Sequence, residues 1–128
     1  MSFSLQKERQ LQKIEDLRRF MDGISNVSPP KKTIGIYVIL CRTTDRIYIG
    51  KSLDVRTRLF SHRNSLLKGT HKNSKMQLAF NRYGEASFTC CLLEACTEQE
   101  LSNKEAYYIQ HFNSLKFGFN QRKEYKKG

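Results

Sequence analysis

Residues 35–52 read GIYVILCRTTDRIYIGKS and contain two short apolar segments, each with one tyrosine and one glycine. Their length and their β-branched and aromatic residues predict two β-strands, over about 33–41 and 46–50. The four residues between them are polar or charged, which is typical of a hairpin loop. Lys51 follows the second strand directly. The stretch therefore predicts an antiparallel hairpin that carries two phenols and is followed at once by a cation.

The register of this hairpin decides whether the two tyrosines meet. If the loop pairs Cys41 with Arg46, then Tyr37 lies opposite Gly50. Tyr48 becomes its diagonal neighbour on the same face, within reach of an aromatic side chain. A shift of one residue would separate the two phenols, because successive side chains of a strand point to opposite faces. We therefore predict this register together with a shared position for the two tyrosines.

The N-terminal region is predicted to be a helix over residues 4–22, followed by a linker over 23–32 that contains two prolines. The helix could pack on the rest of the domain or pair with a second chain. Its apolar stripe consists of Leu11, Ile14, Leu17 and Met21.

Helix caps indicate the elements that follow the hairpin. Asp54 is a favourable N-cap and Gly69 a favourable residue at the C-terminal end of one helix. The sequence TEQE at residues 97–100 forms a capping box for another. The predicted elements are helices over 54–69, 74–83 and 97–112, and a buried strand over 86–95.

The charge of the chain indicates the class of its partner. The 128 residues, enough for one compact domain, include 23 Lys and Arg against 12 Asp and Glu, which gives a net charge of +11. Such an excess indicates a polyanion, either nucleic acid or an anionic membrane surface. A protein that is merely basic, of ribosomal type, is the alternative at this point.

The compartment follows from the apolar runs and the cysteines. The longest apolar run, 34–41, has the length of a strand, and the charged N-terminus lacks the features of a signal peptide. We therefore expect a cytoplasmic protein. No two cysteines form a CxxC pair, so we expect buried reduced thiols and no zinc site. The cysteines are Cys41, Cys90, Cys91 and Cys96.

One residue of the last helix does not fit its hydrophobic pattern. The apolar stripe contains Leu101, Tyr108 and Phe112, but its fourth position is Glu105. A buried carboxylate costs several kcal/mol unless it is paired or binds a metal. Glu105 is therefore either a metal ligand or a residue at the rim of the core with a nearby Lys or Arg.

Several unusual residues could form one site for phosphodiester hydrolysis. This reaction needs a base that activates water and cations that stabilise the charge developing on phosphorus. A tyrosine could serve as the base if neighbouring cations favour its phenolate. A single carboxylate indicates one hard divalent ion, Mg²⁺, rather than a two-metal centre. Each residue also has an ordinary structural explanation. The candidates are Tyr37, Tyr48, Lys51, Arg58, His62 and Glu105.

The order of these residues resembles that of the GIY-YIG nucleases. The motif that names the family is present as Gly35-Ile36-Tyr37 and Tyr48-Ile49-Gly50. The resemblance covers about residues 33–121, which leaves 1–32 as an N-terminal helix and linker and 122–128 as a basic tail. The matching positions outside the naming motif are Lys51, Arg58, His62, His71, Glu105 and Asn120.

The resemblance implies a fold, a reaction and a role for each residue. The fold would be α+β, a three-stranded antiparallel sheet flanked by helices, with the N-terminal helix as an addition. The reaction would be DNA cleavage that depends on one Mg²⁺ (or Mn²⁺) ion per active site. Glu105 would hold the metal, and His62 would assist proton transfer or contact the phosphate. Tyr37 would activate or orient water, Tyr48 would support the site, and Arg58 and Lys51 would bind the phosphate. The supporting residues would be His71, Asn120, Gly35 and Gly50.

Four functions remain open from the sequence. The first is an endonuclease of phage or homing type that cuts double-stranded DNA, which the match at His71 favours. The second is a restriction-type enzyme that dimerises through its N-terminal helix, and the third is a repair-type incision module. The fourth is a basic DNA-binding module without catalytic activity. In each case we expect DNA contacts from Arg56, Arg63, Lys68, Lys72 and Lys75.

Overall fold

The computed structural model describes residues 2–24 and 28–121, so the predicted tail and part of the predicted linker lie outside the described residues. Two short 3-10 turns, over 85–87 and 98–100, precede a strand and a helix. In chain order the other elements are α1 (Ser2–Ile24), β1 (Gly35–Cys41), β2 (Arg46–Ser52), α2 (Val55–Lys68), α3 (Ser74–Tyr83), β3 (Phe88–Ala95), α4 (Leu101–Phe112) and α5 (Ser114–Phe117).

The three strands form one antiparallel sheet with the order β2-β1-β3. The hairpin has the predicted register, with Cys41 paired to Arg46 and Tyr37 paired to Gly50. The ring centroids of Tyr37 and Tyr48 lie 6.3 Å apart. The prediction that both phenols share one face is therefore confirmed.

Different helices cover the two faces of the sheet. On one face, the side chains of Ile36, Val38 and Ile49 pack with buried residues of α1 and α4. On the other face, Tyr37 and Tyr48 pack with buried residues of α2 and α3. This second face carries the polar groups of the candidate site.

The N-terminal helix is part of the hydrophobic core. Ile14, Leu17 and Met21 are buried in the same cluster as the sheet, whereas Leu11, predicted to belong to this stripe, is 54% exposed. Leu11 lies outside this cluster although α4 reaches the same part of α1, where Gln10 Nε2 donates a hydrogen bond to the carbonyl oxygen of Phe112. Lys13 Nζ donates a hydrogen bond of 3.0 Å to the carbonyl oxygen of His111 at the end of α4. The apolar stripe of α1 is thus used within the chain, so a homodimer through this helix would need other residues.

The third strand is less buried than predicted. Of its residues only Cys91 is buried, whereas β2, the other edge strand, has four buried residues and is bonded along its outer side by Phe119 and Asn120. Cys90 is exposed, which corrects the expectation that every cysteine is buried, and Cys96 is half-buried. All four cysteines are free thiols, as predicted.

The helix ends follow the predicted capping signals. The Asp54 side chain accepts a hydrogen bond from the backbone N–H of Thr57, and Gly69 ends α2 with a φ of 76°. The capping box at residues 97–100 is present. The short helix α5 was not predicted, since its four residues are too few to show a helical pattern.

Within residues 2–24 and 28–121, none of the helices combines the length and the apolar character that a membrane span requires.

Candidate active site

Two glycines let the strands approach the candidate site closely. A Cβ on Gly50 would overlap Cζ and Oη of Tyr37, so the phenol ring lies directly over the backbone of β2. A Cβ on Gly35 would overlap the carbonyl oxygen of Glu94 on β3. The two glycines of the naming motif therefore have a packing reason, and they hold Tyr37 in a position where it is 1% exposed.

A chain of hydrogen bonds links Tyr37 to two histidines. Tyr37 Oη lies 2.7 Å from Nε2 of His62, which is buried on α2. Nδ1 of the same ring lies 2.7 Å from Nε2 of His71, and the two imidazole rings are stacked. The backbone N–H of Asn73 donates a bond of 3.0 Å to Nδ1 of His71. The site therefore contains a continuous polar path, buried at Tyr37 and partly buried at His71, from β1 to the loop between α2 and α3.

Burial keeps both histidines neutral. Desolvation, followed by the positive charges of Arg58 and His71, lowers the pKa of His62 from 6.5 to about 3. Burial first, and then the charge of Arg58, also lowers the pKa of His71. Arg58 is exposed one helical turn before His62, so its guanidinium is close enough to act on both rings. At neutral pH the site thus presents two neutral imidazoles beside one cation.

Acid should destabilise the fold through His62. The unfolded chain takes up the proton near pH 6.5 while the folded chain takes it up only near pH 3. Stability is therefore lost as pH falls below 6.5, by about 1.4 kcal/mol per pH unit at most. Urea unfolding at pH 7 and pH 5 should show a loss on the order of 2 kcal/mol. His62→Gln should lose clearly less over the same interval, and an equal loss in both proteins would contradict this assignment.

Lys51 and Glu105 form a second group of charged residues in the candidate site. Lys51 Nζ lies 3.8 Å from Oε1 of Glu105 and donates a hydrogen bond of 3.0 Å to Oγ of Ser102 on α4. The Glu105 side chain is 13% exposed, as expected for a residue at the rim of the core. Lys51 is the nearby cation that this interpretation requires. Lys51 follows Gly50 on β2 and points to the face opposite Tyr37. Both groups lie near the C-terminal end of β2, next to Gly50.

Asn120 fixes the position of β2. Its side-chain oxygen accepts the backbone N–H of Ile49 at 2.8 Å, and its amide nitrogen donates to the Ile49 carbonyl at 2.9 Å. Ser114 Oγ donates to the same side-chain oxygen at 2.7 Å. The buried amide thus acts as a neighbouring strand would, between Tyr48 and Gly50. Its predicted role as a supporting residue of the active site stays a prediction.

Two buried amides near the site were not predicted. Asn73 donates through Nδ2 to the Phe119 carbonyl at 2.7 Å and caps α3 through its Oδ1. Gln77 Oε1 accepts the backbone N–H of His71 at 3.0 Å. In the sequence, Asn73 is visible only as a possible N-cap, and nothing marks Gln77 as buried. The amides together hold the loop that carries His71.

The predicted DNA contacts are exposed. They lie on α2, on α3 and in the loop between them, and are here called the basic surface. Arg63 is also paired with Glu85, with Nε 2.6 Å from Oε2. The residues of this basic surface are Arg56, Arg63, Lys68, Lys72 and Lys75.

The class of protein follows from comparison of this fold and site with known families. The family model described as the GIY-YIG catalytic domain matches residues 33–120. The match covers more than half of the chain, so the chain belongs to the GIY-YIG family, and the enzyme class is that of the nucleases. The resemblance and the α+β fold inferred from the sequence are confirmed.

The individual proteins that this chain resembles are also endonucleases. Intron-associated endonuclease 1 of Enterobacteria phage T4 is 32% identical over 88 residues, which are 67% of this chain and 36% of that protein. The chain therefore spans about a third of the length of the curated relative that it matches. The solved catalytic domain of the homing endonuclease I-TevI has a TM-score of 0.64 and 30% identity, with 68% of this chain and 96% of that chain covered. A mutant of the same catalytic domain gives the same TM-score and identity, with coverages of 69% and 92%.

Proposed function

We propose that this protein is a Mg²⁺-dependent endonuclease of phage or homing type that hydrolyses phosphodiester bonds of double-stranded DNA. The observation that carries the proposal is the buried phenol of Tyr37, whose oxygen lies 2.7 Å from His62 Nε2. Such a hydrogen bond gives a phenol the fixed orientation that activation of a water molecule requires. The relatives, an intron-associated endonuclease and a homing endonuclease, support the same reaction.

Two exposed cations would bind the scissile phosphate. Arg58 is exposed beside the histidine pair, and Lys51 is 43% exposed at the end of β2. The phenol lies over Gly50 on one face of the sheet, and Lys51 follows Gly50 on the other, so a phosphate bound at the end of β2 would be close to both groups. The two cations would then stabilise the charge that develops on the phosphate oxygens as water attacks. Tyr48 would support the site through its edge-on contact with the His62 ring, 5.5 Å between centroids.

Glu105 fits a site with a single divalent ion. Its carboxylate is the acidic group beside Lys51, and the described residues contain no group of three or more His, Cys, Asp or Glu that could surround a metal. Mg²⁺ accepts one carboxylate while it keeps several waters, which suits such a donor set. When bound, the ion would polarise a phosphate oxygen and stabilise the leaving oxygen. Mn²⁺ would serve in the same place.

The chain has one proposed active site, which limits how it can cut both strands of a DNA duplex. One site cuts one strand, so a double-strand break needs either two successive events or two protomers. A restriction-type dimer through α1 is less favoured, because its apolar stripe is buried in the chain's own core. We therefore propose a nuclease domain that acts on duplex DNA in the cytoplasm of a bacterial or phage-infected cell.

DNA binding should depend strongly on salt and only weakly on sequence. The net charge of +11 and the exposed lysines and arginines of the basic surface indicate contacts to several phosphates. Each contact releases condensed counterions, so affinity should fall on the order of a thousandfold between 50 and 200 mM salt. Fluorescence anisotropy with a labelled duplex at increasing NaCl measures this slope. An affinity that does not change over this range would contradict the proposed surface.

Incubation with supercoiled plasmid tests the proposed function. With Mg²⁺ we expect nicked and then linear DNA, and with excess chelator we expect intact plasmid. A protein that binds the plasmid but leaves it supercoiled at all Mg²⁺ and Mn²⁺ concentrations would instead be a DNA-binding module without activity. Immediate linear product without a nicked intermediate would indicate two active sites acting together, as in a restriction-type dimer.

A further inference from the structure

The hydrogen-bond chain of the candidate site has a direction. It runs from the backbone N–H of Asn73 through His71 and His62 to Oη of Tyr37, with distances of 3.0, 2.7 and 2.7 Å. Only the first donor is fixed by covalent chemistry, because a backbone N–H cannot accept a hydrogen bond. The positions of all later protons follow from that one group.

The proton positions can be assigned one ring at a time. Nδ1 of His71 accepts the Asn73 N–H and so carries no proton, which places the single proton of this neutral ring on Nε2. This N–H faces Nδ1 of His62, so that nitrogen must be the acceptor. His62 therefore carries its own proton on Nε2 and points it at the Tyr37 oxygen. A cationic form of either ring would bring two protons together along this chain.

We propose that the loop between α2 and α3 sets this direction, so that His62 is a hydrogen-bond donor to the Tyr37 oxygen, with His71 and Asn73 as positioning residues. The inference rests on the proposed function, in which Tyr37 is the reacting group. It narrows the role expected for His62, because a ring that already holds a proton on Nε2 cannot accept the phenolic proton there.

The direction of the hydrogen bonds determines where Tyr37 can place its own proton. A phenol oxygen that accepts the His62 N–H must direct its own proton toward another acceptor. The same donor stays in place when the phenol is deprotonated, and it then stabilises the negative oxygen. Hydrogen bonding from His62 thus orients the oxygen for reaction without taking part in the proton transfer.

Buried amides keep the loop in the geometry that the chain requires. Gln77 accepts the backbone N–H of His71 and donates to the carbonyl oxygens of Leu66 and of the Asn81 side chain, at 3.1 and 3.0 Å. Asn73 donates to the carbonyl oxygen of Phe119, next to the residue that fixes β2. Both amides are buried with their polar atoms bonded, so His71 and the backbone that orients it cannot shift independently.

The tautomers can be read directly by NMR on the full chain. In protein labelled with ¹⁵N at the histidine rings, at pH 7 and without DNA, we expect His62 and His71 both to carry the proton on Nε2. Signals are assigned from the variants His62→Gln and His71→Gln. Finding the His62 proton on Nδ1 would overturn the proposal. This measurement requires no catalysis, so it separates failure of this inference from failure of the proposed function.

A matched pair of variants at His71 tests the catalytic consequence. His71→Gln keeps an N–H donor near the position of Nε2, whereas His71→Met has a similar length and no donor. For His71→Met we expect a single-turnover rate about tenfold to a hundredfold lower at unchanged DNA affinity, with both His62 tautomers populated. His71→Gln should recover most of this rate and the single tautomer. Equal rates in the two variants would overturn the positioning role, and if His71→Met does not fold, the wild-type tautomers decide.

Discussion

Glu105→Gln is expected to abolish DNA cleavage at any accessible Mg²⁺ concentration while preserving DNA binding. The substitution keeps the shape of the side chain but removes the charge that would hold the metal. Binding should hold or strengthen, because an anion that faces the phosphates is removed. Burial of the Glu105 carboxylate, which is 13% exposed, costs more than an ion pair as long as 3.8 Å offsets, so the melting temperature without metal should hold or rise. Plasmid cleavage, anisotropy and thermal melting on one preparation measure all three effects.

Glu94→Gln is the matched control for this experiment. Glu94 is also paired with a lysine of α4, with Oε2 2.9 Å from Lys104 Nζ, but it lies on β3, at the sheet edge away from β2. This variant should retain cleavage and lose some stability. If Glu105→Gln is instead destabilised but active, Glu105 is a structural ion-pair partner and the proposed metal site is wrong.

Arg58→Ala should slow cleavage on the order of a hundredfold or more without unfolding the protein. Arg58 is exposed, and the core contacts of α2 come from Val55 and Leu66, so truncation removes no buried contact. Loss of a cation that stabilises the transition state costs a few kcal/mol. Single-turnover cleavage at saturating protein measures the chemical step separately from binding.

Arg56→Ala removes the same charge from the same helix and serves as the comparison. We expect it to weaken DNA binding and to leave the single-turnover rate at saturation close to that of the wild type. An Arg58→Ala protein that cleaves at the same rate as Arg56→Ala would exclude a special role for Arg58. A failure of Arg58→Ala to fold would show that its role is structural.

Local signals explain why much of the fold could be predicted. The hairpin register follows from a four-residue loop, and the ends of α2 follow from Asp54 and Gly69, each of which acts within a few residues. The exposure of Cys90 and of Leu11 could not be predicted in this way. Both depend on which element covers a given face, and that is decided by contacts between segments distant in sequence.

The candidate site, too, could be predicted from the sequence only in part. Its titratable residues could be collected from the sequence, because histidine, arginine and a misplaced glutamate are conspicuous there. The direct bond between His62 and His71 could not, since it needs the chain to turn back after Gly69. Asn73 and Gln77 were missed because an amide that holds a loop and an amide on a surface look alike in a sequence.

The most direct test of the account is the single-turnover cleavage rate of Tyr37→Phe on duplex DNA with saturating Mg²⁺. The variant keeps the ring that lies over Gly50 and removes only the oxygen that His62 contacts. If this oxygen activates or orients the attacking water, the rate should fall about a hundredfold or more at unchanged DNA affinity. The melting temperature should fall by a few degrees, because the buried His62 loses its hydrogen-bond acceptor, so the rate is measured well below that temperature. A rate close to that of the wild type would contradict the assignment of Tyr37 as the reacting group.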